Sequence, residues 1–181
     1  MRIIAGKARS RTIEAPKGKD TRPTLDRVRE SLFNILQRRI MGAVTLDLFA
    51  GSGALSLEAV SRGAEMAVMA DRDRQANMVE KLNVRNLGFE ANTRIIQAEW
   101  QQTIRTLQAE GMRFDIVFLD PPFVMQDLTE VSNALMPLLA EDALIVVEHE
   151  YNKEIVLSDA YERTDMRKYG YVGISFYSLK E

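Results

Sequence analysis

The chain has 181 residues, 46% of them hydrophobic, which suffices for one domain of ordinary size with a full core. It contains no cysteine and one histidine, His149, which excludes disulfides and thiolate metal sites and leaves too little for a zinc site, so catalysis is expected to need no metal. No charged-then-apolar leader and no apolar run of membrane-spanning length occurs, so a soluble, cytoplasmic protein without membrane partners is expected.

The net charge of −2 is unevenly placed: residues 1–39 carry a net +7 and the remainder −9. An acidic body with a basic arm suits an enzyme that grips a polyanion without coating itself in it. Residues Ile3 to Ile13, with one Gly and short polar residues, suit a small hairpin or extended ribbon. Lys7, Arg9 and Arg11 on it are available to phosphates, or form a solvated basic face with no ligand. From Thr24, a candidate cap, the pattern becomes helical. Leu25, Val28, Leu32, Ile35 and Leu36 form a buried stripe that leaves Arg27 and Arg38 facing elsewhere. Arg22 and Thr24 read equally as ligand contacts or as turn and cap residues. The expected organisation is an arm and helix over 1–39, serving as a polyanion-binding extension, joined in one compact unit to a main domain over 40–181.

Val44 to Phe49 reads as a buried strand, followed by a tight turn containing Gly51 and Gly53. A helix from Ala54 to Val60 follows, with Leu55, Leu57, Ala59 and Val60 apolar and Gly63 as a C-cap. Such a loop serves several nucleotide-binding folds, or is simply a structural turn. Here Ser56 stands where a dinucleotide fingerprint wants its third small residue, and Asp47 would repel a pyrophosphate. A cofactor with a cationic end fits better. S-adenosylmethionine carries an ammonium and a sulfonium and no phosphate, and Asp47 can answer that charge. The next strand, Met66 to Ala70, ends in Asp71, about 20 residues past Gly51, where an acid can accept ribose hydroxyls of either a nicotinamide or a methionine nucleoside.

Asn77 to Leu87 reads as a helix with Met78, Val79 and Leu82 inward and Gly88 beyond its end. Arg94 to Gln97 reads as a short strand followed by Trp100, which would either pack in the core or flank a ring. Thr103–Ala109 and Leu128–Leu139, the latter interrupted near Pro137, are further helices. Ile116–Leu119 and Ala143–Val147 are buried strands, and His149 is a solvated strand end rather than a base. Tyr161–Lys168 and Val172–Leu179, joined through Gly170-Tyr171, form a terminal antiparallel pair. The alternation implies a three-layer α/β sandwich, mostly parallel with one reversed strand.

Asp120-Pro121-Pro122-Phe123 follows a buried strand, so its carboxylate emerges at the ligand edge of the sheet. An exocyclic amine on a base is a poor nucleophile because its lone pair is delocalised. A carboxylate and a backbone carbonyl accepting its two N–H bonds favour the tetrahedral nitrogen that attacks. Asp120 supplies the first acceptor and the Pro121 carbonyl the second. Pro121 and Pro122 stiffen the loop, and Phe123 can stack on the base. The bland alternative is a Pro-Pro turn with a capping Asp and a core Phe.

These two motifs, with Arg2-Ile3-Ile4-Ala5-Gly6 and the stretch from Arg22 to Leu36, resemble the RsmD family of bacterial 16S ribosomal RNA guanine-N2 methyltransferases over nearly the whole chain. The resemblance implies a Rossmann-like class I S-adenosylmethionine-dependent methyltransferase fold with a seven-stranded sheet. It implies donor binding by Asp47, Phe49, Ala50, Gly51, Ser52, Gly53, Asp71 and Arg72, catalysis at Asp120 to Phe123, and Glu99, with Trp100 beside it, near the adenine. The implied partner is 16S rRNA within a partly assembled 30S subunit, bound through Lys7, Arg9, Arg11, Arg22 and Arg27, by a protein expected to be a monomer. Asp-Pro-Pro-Phe is also shared with adenine-N6 methyltransferases, so by itself it specifies an amine on a base and not which base. A non-enzymatic RNA-binding assembly factor could use the same basic arm.

Overall fold

The computed structural model describes residues 1–18 and the backbone from Pro23 onward, with side chains from Asp26. The expectations for Arg22 and for the Thr24 side chain lie outside the described residues. A hairpin opens the described structure: Arg2 bridges Thr12, and the Ile3 N–H donates to the Arg11 carbonyl at 2.9 Å. Then follow α1 (Pro23–Ile40), β1 (Val44–Asp47), α2 (Ala54–Ser61), β2 (Met66–Asp71), α3 (Arg74–Leu87), β3 (Thr93–Gln97), α4 (Trp100–Ala109), β4 (Phe114–Leu119), α5 (Thr129–Leu135), β5 (Leu139–Glu150), β6 (Tyr161–Tyr169) and β7 (Val172–Leu179). Of two 3-10 turns among the described residues, Glu90–Asn92 and Met136–Leu138, the second carries Pro137 where the helical pattern breaks.

The strands form one seven-stranded sheet in the order β3-β2-β1-β4-β5-β7-β6, with β1 to β5 parallel and β7 antiparallel to both its neighbours. Side chains alternate across a strand, so the central strands feed two cores. Leu46, Val68, Val117, Leu119, Ile145 and Val147 pack under α4 and α5. Ile116, Phe118, Leu144 and Val146 pack under α1 and α2, while Ala67 and Met69 meet α2, α3 and the hairpin. The result is the three-layer sandwich with one reversed strand.

Residue-level packing departs from expectation at several places. On α1, Ile35 is exposed and Phe33 takes its inward place, fully buried against Phe118. On α3, Met78 is 62% exposed and Leu82 is exposed too; the inward residues are Asn77, Glu80, Asn83, Val84 and Leu87. The face is polar because it serves loops: Asn77 donates to the Asp71 and Asp73 carbonyls and Asn83 to the Glu14 and Ser52 carbonyls. His149 is not a solvated strand end but is buried. Its Nε2 lies 2.8 Å from the Ser175 hydroxyl and its ring packs on Gly173, where a Cβ would come within 2.6 Å of it.

The hairpin shares the core with the rest of the chain. Ile3, Ala8 and Ile13 are buried among Leu57, Val60, Val84, Leu87 and Phe89. Glu58 of α2, 0% exposed, accepts the N–H groups of Ile4 and Ala5 and pairs with Arg62 and Arg29. At Gly6, φ is +83° and a Cβ would lie 1.9 Å from the Ser61 carbonyl oxygen, so only glycine fits. With α1 on one side and the hairpin on the other, every α2 residue from Ser56 to Ser61 is buried.

Candidate active site

The parallel strands deliver their carboxyl ends to one crevice. After β1, Phe49 to Gly53 turn tightly into α2. Ala50 donates to the Ala70 carbonyl at 3.0 Å, Gly53 to the Ala50 carbonyl at 2.8 Å, and Gly51 to Asp71 Oδ2 at 2.9 Å. Gly51 has φ 59° and Gly53 φ 79°, left-handed values that side-chain-bearing residues avoid. Asn83 Nδ2 clamps the Ser52 carbonyl at 3.0 Å from beneath. Asp71 also accepts the Asp73 N–H at 2.9 Å, and Asp73 caps α3 by accepting from the Gln75 N–H at 2.8 Å. The loop is therefore held in shape before any ligand arrives.

Three carboxyl groups gather on one face. Asp47 pairs in register with Phe118 of β4, which pairs with Val146 of β5; Asp120 and Glu148 lie two residues further along their strands. Asp47 is 1% exposed and accepts the Phe49 N–H at 3.3 Å. Burial, reinforced by the charges of Asp120 and Asp71, pushes its carboxyl well above the usual carboxylate range. Burial and then the charges of Asp120 and Asp47 do the same to Glu148. A buried site with such groups favours a cation, which relieves the mutual repulsion.

A cavity of about 200 Å³ opens here, bounded by Asp47, Phe49 to Ser52, Asp120 and Glu148 on one side and by Val28, Arg29, Leu32, Met1, Ala15 and Pro16 on the other. Beside it runs a shallow cleft along Pro121, Pro122, Phe123, Met125 and Glu148. The Pro122 carbonyl accepts the Met125 N–H at 2.8 Å, closing the loop on itself. Pro121 is buried, whereas Phe123 is 41% exposed and free to meet a planar ligand.

The sequence-predicted residues thus fall into groups. Asp47, Phe49, Ala50, Gly51, Ser52 and Asp120 line the cavity, with Gly53 and Asp71 supporting its loop. Pro121 to Phe123 lie alongside. Arg72 and Glu99 sit past the ends of β2 and β3, paired at 3.6 Å and largely solvent-exposed. Trp100 is buried in the core under α4. On the arm, Lys7 lies 4.8 Å over the Phe89 ring, Arg11 donates to the Asn86 and Leu87 carbonyls at the end of α3, and Arg9 is exposed, as is Arg27 on α1.

Sequence reasoning missed Glu148 and Arg29. Glu148 carries the same signal as Asp47, Asp71 and Asp120, an acid at the carboxyl end of an apolar strand, but its neighbour His149 drew the attention. Arg29 gave no signal, since a buried arginine inside a basic helix looks like its exposed neighbours; its place follows from Asp26 at 3.0 Å and Glu58 at 3.8 Å. Among the described residues no group of three or more His, Cys, Asp or Glu side chains could hold a metal ion, and no helix is long and apolar enough to cross a membrane.

Comparison with known proteins places this geometry in a lineage. Residues 1–178 match the family described as Conserved hypothetical protein 95. Ribosomal RNA small subunit methyltransferase D of Escherichia coli (strain K12) is 42% identical over 152 residues, covering 83% of this chain and 75% of that protein. The protein of the same name from Haemophilus influenzae is 34% identical over 181 residues, covering 98% of this chain and 93% of its own. Among solved structures, yhhF from Escherichia coli superposes with a TM-score of 0.83 at 36% identity, covering 99% of this chain and 98% of that one. The strand order and the reversed β7 are those of the Rossmann-like class I fold of S-adenosylmethionine-dependent methyltransferases. With the family match spanning nearly every residue and relatives this similar, the chain belongs to the RsmD family.

Proposed function

We propose that this protein transfers a methyl group from S-adenosylmethionine to the exocyclic N2 amine of a guanine in 16S ribosomal RNA, with a partly assembled small subunit as substrate. The observation that carries the reading is the shared crevice: the glycine loop, buried Asp47 and Asp120 border one cavity, and Pro121 to Phe123 line the cleft beside it. The names of the relatives supply the RNA.

The residues present fit the donor. Asp47 offers a desolvated carboxyl to its cationic end, the positive φ of Gly51 and Gly53 lets backbone approach closely, and Asp71 stands ready for ribose hydroxyls with the neighbouring Arg72. In this proposal Glu99, at the start of α4, reads the adenine, while Trp100 beside it packs in the core. When bound, S-adenosylmethionine supplies an electrophilic methyl on a sulfonium. The protein's own work is on the acceptor. Phe123 stacks on a base taken out of the RNA, and Asp120 and the Pro121 carbonyl accept its two amine hydrogens, turning the nitrogen lone pair toward the methyl. Holding reacting atoms about 3–3.5 Å apart is a large part of such catalysis. Asp120 can take the surplus proton. Arg9, Arg27 and, with their charges partly engaged, Lys7 and Arg11 offer phosphate contacts; Arg22 completes this basic set. A monomer in the cytoplasm suffices for the task.

The test is transfer of labelled methyl to 16S RNA and to 30S particles from cells lacking the protein, followed by nucleoside analysis. N2-methylguanosine is the expected product. N6-methyladenosine would move the assignment to the adenine branch, and failure to bind donor would overturn it.

A further inference from the structure

Glu148 has no task in the reaction as proposed, yet its position is singular: it borders both the donor cavity and the cleft beside Pro121 to Phe123. Val147 of β5 pairs with Leu119 of β4, so the next residues, Glu148 and Asp120, emerge side by side from strands about 4.8 Å apart. Both share a face of the sheet and the lining of one cavity with Asp47.

Guanine offers a specific demand at this place. Beside its N2 amine lies the N1–H donor, and beyond that the O6 acceptor. Once Asp120 and the Pro121 carbonyl hold the N2 hydrogens, N1–H is buried next to them and needs an acceptor, because an unpaired buried donor costs binding. We propose that Glu148 is a specificity-determining residue that accepts the guanine N1–H and so reads the base beside the reacting amine. This rests on the guanine reading above and deepens it. A protonated carboxyl suits the task fully: its carbonyl oxygen accepts N1–H while its O–H donates to O6. Burial beside Asp120 and Asp47 favours that form.

The analogue that isolates the contact is 2-aminopurine, which keeps the 2-amine but has neither N1–H nor O6. Semisynthetic 16S RNA carrying guanine or 2-aminopurine at the methylated position, reconstituted into particles, is the substrate pair for the full chain. The wild type is expected to favour guanine by about 10- to 100-fold in kcat/KM, the worth of one or two buried hydrogen bonds. Glu148→Ala should lose most of that preference, costing the guanine substrate far more than the 2-aminopurine one. Glu148→Gln, whose amide reproduces the acceptor and donor of the protonated acid, should restore most of it. Because Glu148 also borders the donor cavity, donor affinity is measured by calorimetry alongside, and the readout is the preference between two acceptors within one variant, from which any shared loss of donor binding cancels. An equal loss on both bases, or no wild-type preference, overturns the role of Glu148 alone. Absence of N2-methylguanosine from the wild-type reaction overturns the guanine reading and this role with it, so the two failures are told apart.

Discussion

Replacing Glu58 by Ala tests whether the basic arm is part of the folded core. The Glu58 carboxylate is fully buried and accepts the Ile4 N–H at 2.9 Å and the Ala5 N–H at 3.1 Å. It pairs with Arg62 Nε at 2.8 Å and stands 3.8 Å from Arg29 Nε. Removing it strands two backbone donors and leaves Arg29 to its ion pair with Asp26. Breaking a buried pair by deleting one partner costs about 3–5 kcal/mol, and the lost N–H bonds overlap with that figure rather than adding to it. For a chain of this size each kcal/mol lowers Tm by about 2–4 °C, so the expected drop is about 6–20 °C. Because Met1 and Ala15 border the proposed donor cavity, donor affinity should fall with the loosened arm. Thermal and urea unfolding read the first effect and calorimetry the second. Glu58→Gln keeps an oxygen for one N–H and should fall between, which preserves a readable protein if the Ala variant does not fold. A loss below about 1 kcal/mol for Glu58→Ala would refute the reasoning, since the network would then be ornamental.

Three further outcomes are expected. Asp120→Asn should lower methyl transfer by about 100- to 1000-fold while donor affinity measured by calorimetry changes little; a matching loss of donor binding would argue against its role on the acceptor. Charge reversal at Arg9 and Arg27, both exposed, should weaken RNA binding and flatten its salt slope by about 0.7 per lost phosphate contact, and an unchanged slope would remove them from the RNA surface. Asp47 binds a proton more tightly folded than unfolded, so its contribution favours the fold at low pH and is lost as pH rises from the ordinary carboxylate range through its raised folded value. Asp47→Asn should therefore stabilise the free protein near pH 7, lose that advantage below about pH 4, and abolish donor binding; equal unfolding midpoints relative to wild type at both pH values would refute it.

The parts of this molecule legible in the sequence are those where chemistry and periodicity coincide. Apolar strands each ending in an acid, as at Asp47, Asp71 and Asp120, announced both the sheet and its ligand edge. What stayed hidden depends on partners distant in sequence. Nothing local distinguishes Asn83 from a solvent-facing polar residue, because its partners are the carbonyls of Glu14 and Ser52, 69 and 31 positions away. The same holds for Glu58 and Arg29, which read as ordinary helix-surface charges until the hairpin covers them. Met78 and Leu82 misled for the opposite reason, their apolar spacing pointing inward on a helix whose inner face is committed to polar work.

The hairpin's docking has a consequence for the order in which the protein can be built. Ile4 meets Glu58 across 54 positions, Glu14 meets Asn83 across 69, and Arg11 meets Leu87 across 76. During synthesis the arm therefore leaves the ribosome long before any surface exists to receive it, and its seat is finished only when α3 has emerged. Contacts of such separation must be paid for in loop entropy before they return anything, so arm docking belongs to the late, slow phase of folding. Until then the wall that Met1, Ala15 and Pro16 give the proposed donor cavity is missing. The proposed donor cavity and the fold are thus completed by the same step in each new chain.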